Sequence, residues 1–266
     1  GATVHELHCE HDGARINVNC GATHLEPLRA AVAALHAAGK THVVGVAFDG
    51  DADRALFIDE RASTITGDHI LYALACDAHA RGDLQENRVV GTVMSNIGLE
   101  RALRAVGIDL ERAAVGDRYV LATMREHGVS LGGEQSGHVI DLRSNTTGDG
   151  TMTAFALLGL MARTKHSLRE LTAPVVEAPQ ILQNIRVFSK ASAEREGVRK
   201  AVAHAERSLA GRGRILVRPS GTEPLVRVMV EGDDRAEIEE VAKKVSAAIA
   251  QAEKEIDRAQ QTNHLG

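Results

Sequence analysis

The stretch Thr41-His-Val-Val-Gly-Val-Ala-Phe48, followed at once by Asp49-Gly-Asp-Ala-Asp-Arg54, decides how the rest of the chain is read. The first part is short, nearly all apolar and β-branched, which predicts a buried parallel strand. Pro27 to Ala38 before it has helical propensity and stops at Gly39, so helix leads into strand, the order of an α/β layer. Ligand sites in open α/β sheets lie beyond the carboxyl ends of strands, where Asp49 begins. Three carboxylates at alternate positions of an extended loop project to one side. Asp49, Asp51 and Asp53 would repel one another unless a cation sat among them, and Gly50 and Ala52 leave room for one. All-oxygen donors select a hard cation, Mg²⁺ or Ca²⁺. Arg54 adds a rigid fork suited to a phosphate. An EF-hand loop is disfavoured, because Arg54 stands where that loop needs glycine and a strand rather than a helix precedes it. A plain acidic turn is the bland alternative.

Working outward, a second short strand is expected at Ala55 to Asp59 and a new unit near Ser63. Helices are expected at Gly67 to Arg81, Ile97 to Val106, Asp117 to His127 and Gly150 to Arg163, with strands at Arg88 to Val93 and His138 to Leu142. Gly82, Gly107 and Gly128 close the first three of these helices. Pro174 and Pro179 bracket a linker. Beyond it, Ile181 to Phe188 (strand), Ala193 to Leu209 (helix), Arg214 to Arg218 and Leu225 to Glu231 (strands) and a helix from Asp234 give a β-α-β-β-α order. In the last helix Ile238, Val241, Val245, Ile249, Ala252 and Ile256 recur at helical spacing. The expected fold class is α/β, with mixed or parallel sheets flanked by helices, followed by a smaller α+β C-terminal domain. The expected units are 1–62, 63–174 and 180–266.

Composition narrows the function. The chain has 266 residues, 44% hydrophobic and 25% charged, ordinary for a globular protein with its own cores. A net charge of −5 and the scarcity of aromatics (4 Phe, 2 Tyr, no Trp) disfavour nucleic-acid binding. The longest apolar run, Met152 to Ala162, is too short for a membrane span. Three cysteines, an odd number without a C-x-x-C pair, fit a reducing cytoplasm. Gly39-Lys40-Thr41 imitates the end of a P-loop but lacks its upstream glycine and precedes a strand. Cys9 with His5, His8 and His11 is a weak metal cluster.

Two further loops carry polar chemistry. Gly132-Gly-Glu-Gln-Ser-Gly-His138 can present acceptors and donors to a polyol, or is simply a polar turn. Arg218-Pro-Ser-Gly-Thr-Glu-Pro224, with Arg227 beyond, offers hydroxyls and backbone N–H groups between two arginines, an anion nest or an ordinary turn with surface arginines. A metal loop together with an anion loop points to a phosphorylated substrate.

These three loops, in this order, resemble the α-D-phosphohexomutase superfamily. CGATH at 20 to 24, VMSNIGLE at 93 to 100, VGDRYV at 115 to 120, TTGDG at 146 to 150 and Gln135 favour its glucosamine-phosphate branch over the glucose and mannose branches. The resemblance runs from about Asp12 to about Val245. It implies that the chain is the end of the family's second domain, its third and its fourth, and that the first domain, with its phosphoserine, has no counterpart here, so that the chain alone is inactive. It further implies that Asp49, Asp51 and Asp53 hold Mg²⁺, that Arg54 acts at the reacting phosphate, and that Glu134, Ser136 and His138 take the sugar. Arg218, Ser220, Gly221, Thr222 and Arg227 would hold the other phosphate. The implied reaction interconverts glucosamine 6-phosphate and glucosamine 1-phosphate through a bisphosphate in the cytoplasm. A homodimer is one candidate assembly, and the alternative readings are a phosphomannomutase/phosphoglucomutase relative and a non-catalytic sugar-phosphate-binding fragment.

Overall fold

A computed structural model describes residues 2–10, 12–221 and 223–263, with side chains through 257. The chain divides into two compact units, Gly1–Val176 and Glu177–Gly266.

In the first unit, α1 (Glu26–Ala37) has Pro27 in its first turn, where a missing N–H costs nothing, and ends at Gly39 with φ 85°. It leads into β1 (Gly45–Phe48), which pairs with β2 (Ala55–Ile58), itself paired with β3 (Thr64–Ile65). Both pairings are antiparallel, so the expected parallel direction for 41–48 is corrected. The connection through Asp49–Arg54 is too short for a crossover, and the chain turns straight back on itself. The strand also begins later than expected, at Gly45.

A second sheet has the order β5-β4-β6-β7, from β4 (Arg88–Thr92), β5 (Asp109–Ala113), β6 (Leu131–Gly133) and β7 (Val139–Asp141). The first three strands are parallel and β7 is antiparallel. Helices α2 (Gly67–Ala80), α3 (Ile97–Ala105), α4 (Asp117–Glu126), α5 (Gly150–Thr164) and α6 (Leu168–Thr172) cover them. α2 is buried on nearly every side, and one apolar core runs from Phe57 of β2 through Ile70, Leu71 and Leu74 of α2 to Leu99 and Leu103 of α3 and Leu157 of α5. α2 thus joins the two sheets and fixes the loops at their ends relative to each other.

In the second unit, β10 (Leu225–Gly232) lies between β8 (Gln180–Arg186) and β9 (Gly213–Pro219), antiparallel to both. Val226, Val228 and Val230 face α7 (Glu196–Leu209) and α8 (Arg235–Asn263). Both helices therefore lie on one face, as the β-α-β-β-α order requires. The helix expected from Ala193 starts at Glu196, behind a separate 3₁₀ turn, Lys190–Glu194, which Ser189 caps through its Oγ.

Candidate functional site

Three loops of the first unit are stitched together by backbone. Arg54 and His138 form an antiparallel bridge, and the Ala55 N–H donates to the Gly137 carbonyl at 3.1 Å. The Gly150 N–H donates to the Ala52 carbonyl at 2.8 Å, bringing in the loop before α5. The N-terminus of α2 closes the assembly: the Gly67 N–H donates to the Gln135 carbonyl at 2.9 Å. Several glycines are required here by space. A Cβ at Gly67 would lie 1.9 Å from the Glu134 carbonyl oxygen, and one at Gly150 would lie 2.5 Å from that of Arg54. Gly137, at φ 94°, would place a Cβ 2.4 Å from the Ala55 carbonyl oxygen.

The acidic loop is not the extended segment expected from its alternation. It is a turn, closed by the Ala52 N–H on the Asp49 carbonyl at 3.2 Å, with Ala52 in the left-handed region at φ 58°. The turn nevertheless gathers the carboxylates: donor oxygens of Asp49, Asp51 and Asp53 lie within 4.8 Å of one another, the only such group among the described residues. Arg54 folds back on it, Nε 3.4 Å from Asp49 Oδ2 and 3.5 Å from Asp53 Oδ1, while its N–H donates to Asp49 Oδ1. Burial, and then the neighbouring Asp49, push the Asp53 carboxyl pKa up, and its Oδ1 is buried without a hydrogen bond among the described residues. Crowded, under-satisfied hard oxygen donors fit Mg²⁺ on chemical grounds.

The polyol loop separates its side chains. Ser136 is exposed and Glu134 half-buried, its Oε1 accepting the Gly116 N–H at 2.9 Å. Gly116 (φ 126°, ψ 135°) holds a conformation open essentially to glycine, just ahead of α4. His138 is buried and turned toward the acidic loop, Nδ1 3.1 Å from Asp53 Oδ2. Its Nε2 has no hydrogen-bond partner among the described residues, and Gly148 lies so close that a Cβ there would be 2.2 Å from it. In the sequence, VGDRYV and TTGDG are only marks of resemblance. Their glycines turn out to shape the site, and the only signal for this was the glycines themselves.

The second unit holds the arginine loop. Arg218 and Arg227 stand directly opposite each other on β9 and β10. Like charges so placed destabilise a sheet unless an anion lies between them. Burial, reinforced by Arg227, lowers the Arg218 pKa, and Arg218 has no ion pair among the described residues. Arg227 reaches Glu223 at 3.2 Å with Nη2, but its buried Nε has no partner among the described residues. Ser220 is buried, its Oγ accepting the Glu223 N–H, and Gly221 is exposed. Thr222 lies outside the described residues.

The family models for phosphoglucomutase/phosphomannomutase match this chain: the α/β/α domain III over residues 66–178 and the C-terminal domain over 182–248. The chain belongs to the phosphohexomutase superfamily. It is 52% identical over 242 residues to a phosphoglucosamine mutase of Moorella thermoacetica, covering 91% of this chain and 53% of that protein. It is 51% identical to a phosphoglucosamine mutase of a Parafrankia species, over 94% of this chain and 52% of that one. It thus spans about half the length of these curated relatives. A phosphoglucomutase/phosphomannomutase family protein from Burkholderia thailandensis superposes with a TM-score of 0.69 at 25% identity, over 87% of this chain and 51% of that one. Aspergillus fumigatus N-acetylphosphoglucosamine mutase, solved with GlcNAc-6P and magnesium, shares the fold with a TM-score of 0.68 at 20% identity, over 89% of this chain and 54% of its own. No helix among the described residues is long and apolar enough to cross a membrane.

Proposed function

We propose that this chain carries the metal, sugar and phosphate loops of a phosphoglucosamine mutase, which interconverts glucosamine 6-phosphate and glucosamine 1-phosphate through the 1,6-bisphosphate. The observation that carries this reading is the interlocking of the acidic turn with the Glu134–His138 loop through Arg54, Ala55 and Gly137. A cation site and a polyol site are thereby held in one rigid piece. Residues 1–62 are read as the end of the family's second domain, 63–174 as the third and 180–266 as the C-terminal domain, all acting in the cytoplasm.

Asp49, Asp51 and Asp53 would hold Mg²⁺, which when bound supplies positive charge at the transferring phosphoryl oxygens. Arg54 leaves its carboxylate partners to meet the same oxygens once their charge is neutralised. Glu134 and Ser136 take sugar hydroxyls, and the Gly116 N–H fixes the Glu134 carboxylate for that task. His138 holds Asp53 by donating its Nδ1 proton. Arg218, Ser220, Gly221, Thr222 and Arg227 bind the phosphate that is not reacting, so remote binding energy positions the reacting end. We read the serine that carries the phosphoryl group between O6 and O1 as lying outside these residues.

Calorimetric titration with glucosamine 6-phosphate, glucose 6-phosphate and mannose 6-phosphate in the presence of Mg²⁺ tests the reading. Saturable binding with glucosamine 6-phosphate tightest is expected, and no turnover by this chain alone. Preference for glucose or mannose phosphate would move the protein to another branch, and turnover by the chain alone would refute the placement of the phosphoryl carrier.

A further inference from the structure

The β9–β10 loop is gripped from behind by the segment that leaves β8. The Val187 N–H donates to the Pro224 carbonyl at 3.0 Å, at one end of the loop. At the other end, Lys190 Nζ donates to the Ser220 carbonyl at 2.5 Å and reaches the Gly221 carbonyl at 3.4 Å. Lys190 opens the 3₁₀ turn whose start is fixed by the Ala191 N–H on Ser189 Oγ, so its backbone is anchored locally. It has no carboxylate partner among the described residues. An ammonium offers three donors and no acceptor, which suits it to successive carbonyls.

A trans peptide is planar, with C=O and N–H pointing opposite ways. Turning the Ser220 carbonyl toward Lys190 therefore turns the Gly221 N–H away from it. The other polar groups around this peptide are committed: the Ser220 N–H to the Leu225 carbonyl at 2.8 Å, and Ser220 Oγ to the Glu223 N–H at 3.3 Å. The Gly221 N–H has no hydrogen-bond partner among the described residues, and a Cβ at Gly221 would meet nothing within 4 Å. That peptide thus presents an N–H with no partner among the described residues, at an exposed glycine in the loop that also carries Arg218.

We propose that Lys190 is a positioning residue of the anion site: by holding the Ser220 carbonyl it aims the Gly221 N–H at a phosphate oxygen, and it does so without touching the phosphate itself. The inference rests on reading the Arg218–Pro224 loop as a phosphate site, and it adds a residue from a different segment to that site.

The test uses the whole chain and inorganic phosphate, followed by calorimetry and by the Gly221 amide resonance. In the wild type, phosphate should bind saturably and shift the Gly221 amide. Lys190→Met should weaken binding roughly ten-fold and abolish that shift, with the melting temperature of the phosphate-free protein little changed, and Lys190→Arg should recover part of both. Unchanged affinity in Lys190→Met overturns the proposal, as does weakened binding in which the Gly221 amide still shifts as in the wild type. If the wild type and Arg218→Gln alike bind no phosphate, the phosphate reading falls and the proposal with it.

Discussion

His138 Nδ1 lies 3.1 Å from Asp53 Oδ2, a contact between residues 85 positions apart that ties the polyol loop to the acidic turn. With Asp53 ionised, Nδ1 carries the proton and donates it. Partners that orient a metal ligand in this way typically change metal affinity about 10- to 100-fold when removed. His138→Gln should weaken Mg²⁺ binding by about that factor, measured by calorimetry. An unchanged affinity would show that the contact does not hold Asp53 for the ion.

The contribution of Asp53 to the stability of the metal-free protein should fall as pH rises. Burial and Asp49 raise the Asp53 pKa above its ordinary 3.8, so the folded state holds that proton more tightly than the unfolded chain. The resulting stability is fully present below the unfolded pKa and is lost as pH rises through the higher folded value. Melting curves in EDTA should show this decline, Asp53→Asn should flatten it, and Mg²⁺ should raise the melting temperature more at neutral than at acid pH. A metal-free stability that rises across the same interval in the wild type but not in Asp53→Asn would mean that the folded state binds the Asp53 proton more weakly than the unfolded chain.

Glycine substitutions should split by available space. At Gly67 the gain in helix propensity is at most about 1 kcal/mol. The clash is with a backbone carbonyl that cannot move aside, at 1.9 Å. Gly67→Ala should therefore destabilise by about 3 kcal/mol or prevent folding. At Gly159, exposed in α5 with nothing within 4 Å of a Cβ, Gly159→Ala should stabilise by about 0.5–1 kcal/mol. Denaturant melts of the two variants check both signs.

Arg218 should serve binding at the expense of stability. Replacing it with Gln removes a like charge facing Arg227 across the sheet, so the second unit should be unchanged or up to ~1 kcal/mol more stable. Phosphate affinity should fall about 10- to 100-fold. A destabilised variant with unimpaired phosphate binding would make Arg218 a structural residue instead.

What could be read from the chain beforehand follows from how local each signal is. The helices stand out because their apolar spacing is strong and because Gly39, Gly82, Gly107 and Gly128 stop them with positive φ. β5 went unread, since Asp109-Leu-Glu-Arg-Ala113 is largely polar and becomes a strand by pairing with β4. β6 was hidden inside the polyol motif: Gly132 and Gly133 look like loop residues but are strand positions where a Cβ would meet Met124 Sδ at 2.7 Å and the His138 carbonyl oxygen at 2.8 Å. The direction of β1 was misread because an apolar run gives burial and not pairing. The acidic triad was visible since its residues are near neighbours in sequence. The role of Gly116 beneath Glu134 and the turn of His138 toward Asp53 depend on long-range folding, and no local pattern encodes them.

The most direct measurement adds Mn²⁺, a paramagnetic substitute for Mg²⁺, to the isotopically labelled chain and follows amide line broadening. Selective broadening centred on Asp51 and extending to Gly137, His138 and Gly150 is expected, at one ion per chain, reversed by excess Mg²⁺ and lost in Asp51→Asn. Broadening centred elsewhere, or confined to residues 49–54 while the 134–138 loop stays sharp, would contradict a cation site built jointly by the two loops.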